Sequence, residues 1–201
     1  VQTDEEAKKF ITDQVKDTKE ALQGARDIIA EWISEHEQSR NKIRQLFTEE
    51  AVLTSKVLNS KKEEEEAQKY RDYFEFSEPL TNCPSHRILA IRRGEKEGYL
   101  VMDISIDKEN AIEALGRINI KASNQTTPEL KKAIEDAFER LLKSSIENEF
   151  RLLSKNKADE EAIRVFTENL RQLLLASPLG SKKVLALDPG FRTGCKLVCL
   201  D

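Results

Sequence analysis

Over residues 17–35, Leu22, Ala25, Ile28, Ile29, Trp32 and Ile33 recur at spacings of three and four, which places them on one helical face. The spacing predicts a helix that buries this face, Trp32 included. Gly24 costs such a helix about 1 kcal/mol relative to alanine and is read as the site of a close helix crossing. Ser39 is the predicted cap of a second helix, whose buried side begins with Ile43, Leu46 and Phe47. Helix is also the reading beyond Glu50, although the periodicity there is less regular. Residues 61–66 (KKEEEE) read as a solvated helix face with lysine–glutamate pairing. The crowded aromatics Tyr70, Tyr73, Phe74 and Phe76 read as core anchors, with the helix ending near Pro79.

A short helix follows, capped by Ser85 and ended by Gly94 or Gly98. Residues 99–107 (YLVMDISID) then alternate apolar and polar positions, a strand signal. Asp107 is the predicted N-cap of KENAIEALGRI. Thr127-Pro128-Glu129 combines a capping hydroxyl with a proline at the first helical position, and Leu130, Ile134, Ala137, Phe138, Leu141 and Leu142 form the stripe behind it. Two further helices are expected, over 146–153 and 160–176. The pattern then changes: VLALD (184–188) and CKLVCL (195–200) read as strands joined by the turn PGFRTG. A lone hairpin is marginal in water, so the pair reads as the opening of a longer sheet and the chain as truncated.

Composition narrows the classes. Hydrophobic residues make up 38% and charged residues 35%, with only 7 Gly and 5 Pro, which suits amphipathic helices better than a β-sandwich. The net charge of −4 gives no overall basic field, so any nucleic-acid contact needs a local patch. No apolar run reaches the roughly 20 residues that span a bilayer, and VQTDEE at the start has no signal-peptide character. Cys83, Cys195 and Cys199 lack disulfide or zinc spacing and are read as reduced packing residues of a cytoplasmic protein. His36 and His86 are too far apart for a zinc site, and no cofactor is implied.

The segments ALQGARDIIAEWISE, KYRDYFEFSEPL, PSHRILAIRRGEKEG, LLKSSIENEFR, ENLRQLLLASPLG and LALDPGFRTGCKL, in this order and spacing, closely resemble the Tex family of bacterial transcription accessory proteins. The resemblance covers most of this chain, and this chain a middle portion of a typical member. It implies a largely helical, elongated architecture with a helix-turn-helix-like element near the N-terminus. A YqgF-type ribonuclease H-like domain, helix-hairpin-helix elements and a C-terminal S1 domain are implied to follow, the last an OB-fold module for single-stranded nucleic acid. The expected fold is therefore mainly α, packed helices with small β elements, ending in the first hairpin of a truncated ribonuclease H-like domain. Residues 1–177 are the expected helical region, with a short β element near 98–107, and 178–201 the start of the YqgF-like domain.

The resemblance implies binding of RNA or other nucleic acid by the longer protein in support of transcription, with this region as a helical scaffold and the transcription machinery as a further partner. Arg87, Arg92, Arg93 and Lys96, beside His86 and the aromatics of YRDYFEF, are the candidate phosphate contacts. Surface charge runs are common, and Glu95 and Glu97 dilute this one, so ordinary helix-surface pairing outweighs nucleic-acid binding by roughly three to one. Asp188 matches the first-strand Asp of ribonuclease H-like folds, which helps hold Mg²⁺ for phosphodiester cleavage. Two-metal cleavage needs several converging carboxylates, and Asp201 alone does not complete such a set, so no enzyme activity is expected. Asp188, Gly190, Thr193 and Gly194 also loosely resemble the phosphate loop of actin-like ATPases, although a tight turn explains the glycines more simply. A metal-dependent nuclease and a protein-interaction scaffold without nucleic-acid contact are the alternatives.

Overall fold

The computed structural model describes residues 3–190 and 194–201. It is mainly helical with two small antiparallel sheets. The chain divides into two compact units, Val1–Ala162 and Ile163–Asp201.

The first unit opens with α1 (Thr3–Ala7) and a 3₁₀ turn (Lys8–Phe10) ahead of α2 (Thr18–Glu35). Asp17 caps α2, its carboxylate accepting from the Glu20 backbone N–H at 2.8 Å. α3 (Glu37–Glu50) follows after a single residue, with His36 at the N-cap position. Ser39 is not a cap: it is fully buried inside α3, hydrogen-bonded to His36 Nδ1 and to Asn119 Nδ2, each at 3.2 Å. The predicted burial of Trp32 also fails. Ala30 and Ile33 carry the buried side of α2, while Trp32 is 68% exposed. Gly24 meets nothing within 4 Å and marks no helix crossing.

The chain beyond Glu50 is not helical. Val52–Val57 forms β1, the central strand of a sheet ordered β2-β1-β3, where β2 is Glu75–Pro79 and β3 is Leu100–Ser105. Leu53 and Ser55 of β1 point inward opposite Ile104 and Met102 of β3. The buried Ser55 hydroxyl donates to the Tyr73 carbonyl at 2.8 Å, which meets the need of a polar group in a core. Between β1 and β2, two 3₁₀ segments (Asn59–Lys61 and Glu65–Tyr73) replace the expected helix, and Lys61 pairs with Glu64 at 2.7 Å. Tyr70 is buried, and Tyr73, Phe74 and Phe76 are half-buried.

α4 (Ser85–Lys96) packs Ile88 and Ile91 into the core. Pro84, not Ser85, holds its N-cap position, and Gly98, at φ +78°, lies in the turn that follows. Gly94 sits within the helix because a Cβ there would lie 2.6 Å from Leu100 Cδ1. We expect Gly94→Ala to destabilise the unit by about 1–2 kcal/mol, since overpacking outweighs the helix propensity gained. Thermal unfolding at a midpoint equal to or above the parent's would contradict this.

β3 leads into α5 (Lys108–Asn119), capped as expected by Asp107, which accepts from the Asn110 N–H at 2.8 Å. α6 (Thr127–Asp136) carries its proline in the first turn. A π-helical turn (Ala137–Leu142) continues α6 directly into α7 (Lys143–Leu175), so the two helices expected over 146–153 and 160–176 are one. The core joins Phe47, Leu53, Ile91, Ile104, Leu115, Ile134, Phe138 and Ile146, from both helices and sheet.

In the second unit, β4 (Val184–Pro189) and β5 (Cys195–Leu200) form the predicted antiparallel hairpin. No described residue of this unit is buried, and Cys195 and Cys199 are exposed, against the expectation of packing roles. Cys83 alone fits that expectation. It is buried, and its thiol is pushed up to about 11 by burial first and then by the Glu78 carboxylate. Among the described residues no helix is long and apolar enough to cross a membrane.

Candidate nucleic-acid interface

α4 carries all four candidate cations but does not aim them at one place. At about 100° per residue, Arg92, Arg93 and Lys96 share an arc of about 100°, and Arg87 lies on the far side of the helix. Arg87 is taken up by Glu78 on β2, at 3.0 Å. Arg92 Nη1 donates to the Arg151 carbonyl on α7, at 3.1 Å. These two guanidinium groups therefore serve the fold. Arg93 and Lys96 are exposed and make neither salt bridge nor hydrogen bond among the described residues, so they remain available to an outside anion.

Beside them, Tyr70 and Tyr99 lie with ring centroids 6.0 Å apart, and Lys69 Nζ sits 5.0 Å and 5.7 Å from the two centroids. Lys69 also pairs with Glu97 at 2.5 Å. The hydrogen bond with Glu97 raises the Lys69 pKa, and the same bond holds the Glu97 carboxyl below its usual value. The Tyr99 hydroxyl donates to Glu66 at 2.8 Å, which pushes its pKa up. Tyr70 is buried, and its hydroxyl makes no hydrogen bond among the described residues. Burial and then Glu97 push its pKa up. A ring that is 4% exposed offers no face to a base, so Tyr70 works as an anchor.

A residue that no local motif singles out ties this region together. Arg151 donates to the Met102 carbonyl on β3 at 2.6 Å, pairs with Glu95 on α4 at 2.5 Å and faces Glu147 at 3.5 Å. It lies 49 to 59 residues from the groups it organises on α4 and β3, so no local spacing could reveal it.

In the hairpin, Asp188 is exposed and stands opposite Lys196 in the register. Gly190 donates from its backbone to the Gly194 carbonyl at 2.9 Å, and Gly194 has φ +85°, a value that favours glycine. Thr193, the hydroxyl of the phosphate-loop alternative, lies outside the described residues. Among the described residues no three His, Cys, Asp or Glu side chains are grouped to hold a metal ion.

The site is thus a helical core braced against a small antiparallel sheet, with two of the four α4 cations held by the fold and two exposed. The chain belongs to the Tex central region-like family, which it matches over residues 1–166. It is 41% identical over 183 residues to YdcI of Bacillus subtilis, covering 90% of this chain and 25% of that protein. Similarity extends to the transcriptional accessory protein Tex of Neisseria gonorrhoeae, 34% identical over 202 residues, 97% of this chain and 26% of the relative. The human S1 RNA-binding domain-containing protein 1 is 31% identical over 189 residues, 89% of this chain and 19% of that protein. The chain thus spans about a quarter or less of the length of these relatives.

Proposed function

We propose that this chain is the framework region of a nucleic-acid-binding transcription accessory protein and performs no catalysis itself. The observation that carries the reading is the fate of the α4 cations: Arg87 and Arg92 are engaged by the fold, while Arg93 and Lys96 stay free. Two free cations supply weak, salt-sensitive phosphate contacts, an auxiliary to binding modules elsewhere in a longer protein. The names of the Neisseria and human relatives support the transcription and RNA parts of this reading. Residues 178–201 fit the opening hairpin of a ribonuclease H-like domain, with Asp188 at its first-strand position. The proposed absence of catalysis rests on the need for several converging carboxylates in metal-assisted cleavage.

Binding to labelled single-stranded RNA across a salt series tests the phosphate contacts. Each phosphate contact contributes about −0.7 to the slope of log affinity against log salt on a single strand, so two give about −1.4. We expect that slope, and its loss in Arg93→Ala/Lys96→Ala. A slope near −2.8, expected for about four contacts, would mean that more cations than Arg93 and Lys96 engage the ligand and would overturn this reading. A slope unchanged by the double substitution would place the contacts elsewhere.

A further inference from the structure

The outer ridge of α2 and the segment before it form an apolar surface that the proposed function does not use. Phe10, Val15, Leu22, Ala25 and Ile28 line one groove of about 570 Å³, with Glu6 and Glu20 at its edge. Phe10 is 66% exposed and Ile28 51% exposed. Trp32, 68% exposed, lies one helical turn beyond Ile28 on α2, so an open indole follows the end of the groove. A large aromatic beside an apolar groove is the composition of a binding hot spot, and its exposure is costly to an isolated protein.

Charge specifies the occupant. Residues 1–35 hold nine acidic and five basic side chains, so the chain's whole net charge of −4 resides there and residues 36–201 are neutral. Two of the five bases are occupied, Arg26 by its ion pair with Glu129 on α6 and Lys9 by its pair with Glu6, which is itself neutralised thereby. Glu31 and Glu35, one residue before Trp32 and three after it, make no salt bridge among the described residues and flank the indole with negative charge. The field repels a phosphate backbone and attracts a cation-rimmed apolar face.

We propose that this groove and Trp32 are a docking site for a cationic amphipathic helix of a partner protein, its apolar stripe in the groove and its lysines or arginines against Glu20, Glu31 and Glu35. This is the helix-in-groove mode, in which residues at i, i+3, i+4 and i+7 supply the anchors. It is independent of the α4 cations and survives their failure to bind RNA.

Trp32 is the only tryptophan in the sequence, so its emission reports the site without a label. The probe is an 18-residue helical peptide with leucines at i, i+3, i+4 and i+7 and lysines elsewhere, with a leucine–glutamate peptide of the same pattern as control. The expected result is a saturable blue shift with the lysine peptide and none with the glutamate peptide. Phe10→Asp/Ile28→Asp should weaken the lysine peptide at least tenfold, as loss of two apolar anchors implies. Glu31→Lys/Glu35→Lys, which leaves the apolar groove intact, should weaken it at low salt and less at high salt. The proposal is overturned by no shift, by equal shifts with both peptides, or by a shift indifferent to both double substitutions. A blue shift of the chain alone as its concentration rises would also overturn it, by making a second copy the occupant.

Discussion

Phe47→Ala is expected to destabilise the first unit by about 3–4 kcal/mol, in the range for removing a buried phenylalanine. Phe47 is 1% exposed and its ring lies 5.2 Å from that of Phe150, tilted by 40°. It thereby clamps α3 to α7 across the core. The same two rings line a groove with Leu80, Cys83, Ile88 and Ala158, so water can enter part of the space left by truncation. That access places the expected loss toward the lower part of the range. With a urea m-value of about 2 kcal/mol/M, the unfolding midpoint falls by about 1.5–2 M. A Phe47/Phe150 double-mutant cycle should return a coupling of about 0.5–1.5 kcal/mol, the contribution of an aromatic pair beyond area burial. A midpoint shift under 0.5 M, about 1 kcal/mol at that m-value, would mean that α7 is not held at this contact.

The elements legible in the sequence are those whose signal is local. Asp107 followed by KENAIEALGRI states its own cap and apolar stripe, and YLVMDISID alternates cleanly because β3 puts Leu100, Met102 and Ile104 inward. β1 is hidden because its inward position 55 is a serine, satisfied by a carbonyl 18 residues away, and this breaks the period-2 pattern. The polar run SKNKADEE suggests a break in α7, yet a polar run does not end a helix. No Gly or Pro lies between Pro128 and Pro178, and nothing there stops propagation. Trp32 shares the 3.6-residue period of the buried side, but an apolar arc that wide exceeds what one set of neighbours covers, and periodicity does not say which part stays open. The α4 cations are visible as a cluster, whereas their division into engaged and free depends on Glu78 and Arg151, which only the tertiary fold brings near.

Arg151→Met should cost about 2–3 kcal/mol at neutral pH, and the loss should shrink as pH falls. The Arg151 side chain is 20% exposed, with Glu95 at 29% and Glu147 at 18%, so this is a partly buried network. Removing its cation leaves carboxylates poorly solvated, a cost of about 3–5 kcal/mol when burial is complete and less here. Methionine keeps much of the apolar stem, so packing loss is a minor part of the change. Burial, and then the Asp103 charge, hold the Glu147 carboxyl above its usual value, with Arg151 opposing both. Without Arg151 the folded-state pKa of Glu147 rises further. A carboxyl whose folded pKa exceeds its unfolded one penalises the fold above the folded pKa and not below the unfolded one. The gap in unfolding free energy between parent and variant should therefore be widest near pH 7 and narrow through the carboxylate range toward pH 4.5. A gap constant across that window would assign the role of Arg151 to its hydrogen bond with the Met102 carbonyl. Glu147→Gln in the Arg151→Met background should then restore nothing. If charge is the cause, the same substitution should recover about 1 kcal/mol at pH 7, which corresponds to a several-fold change in the proton affinity of the Glu147 carboxyl between the unfolded and folded chain.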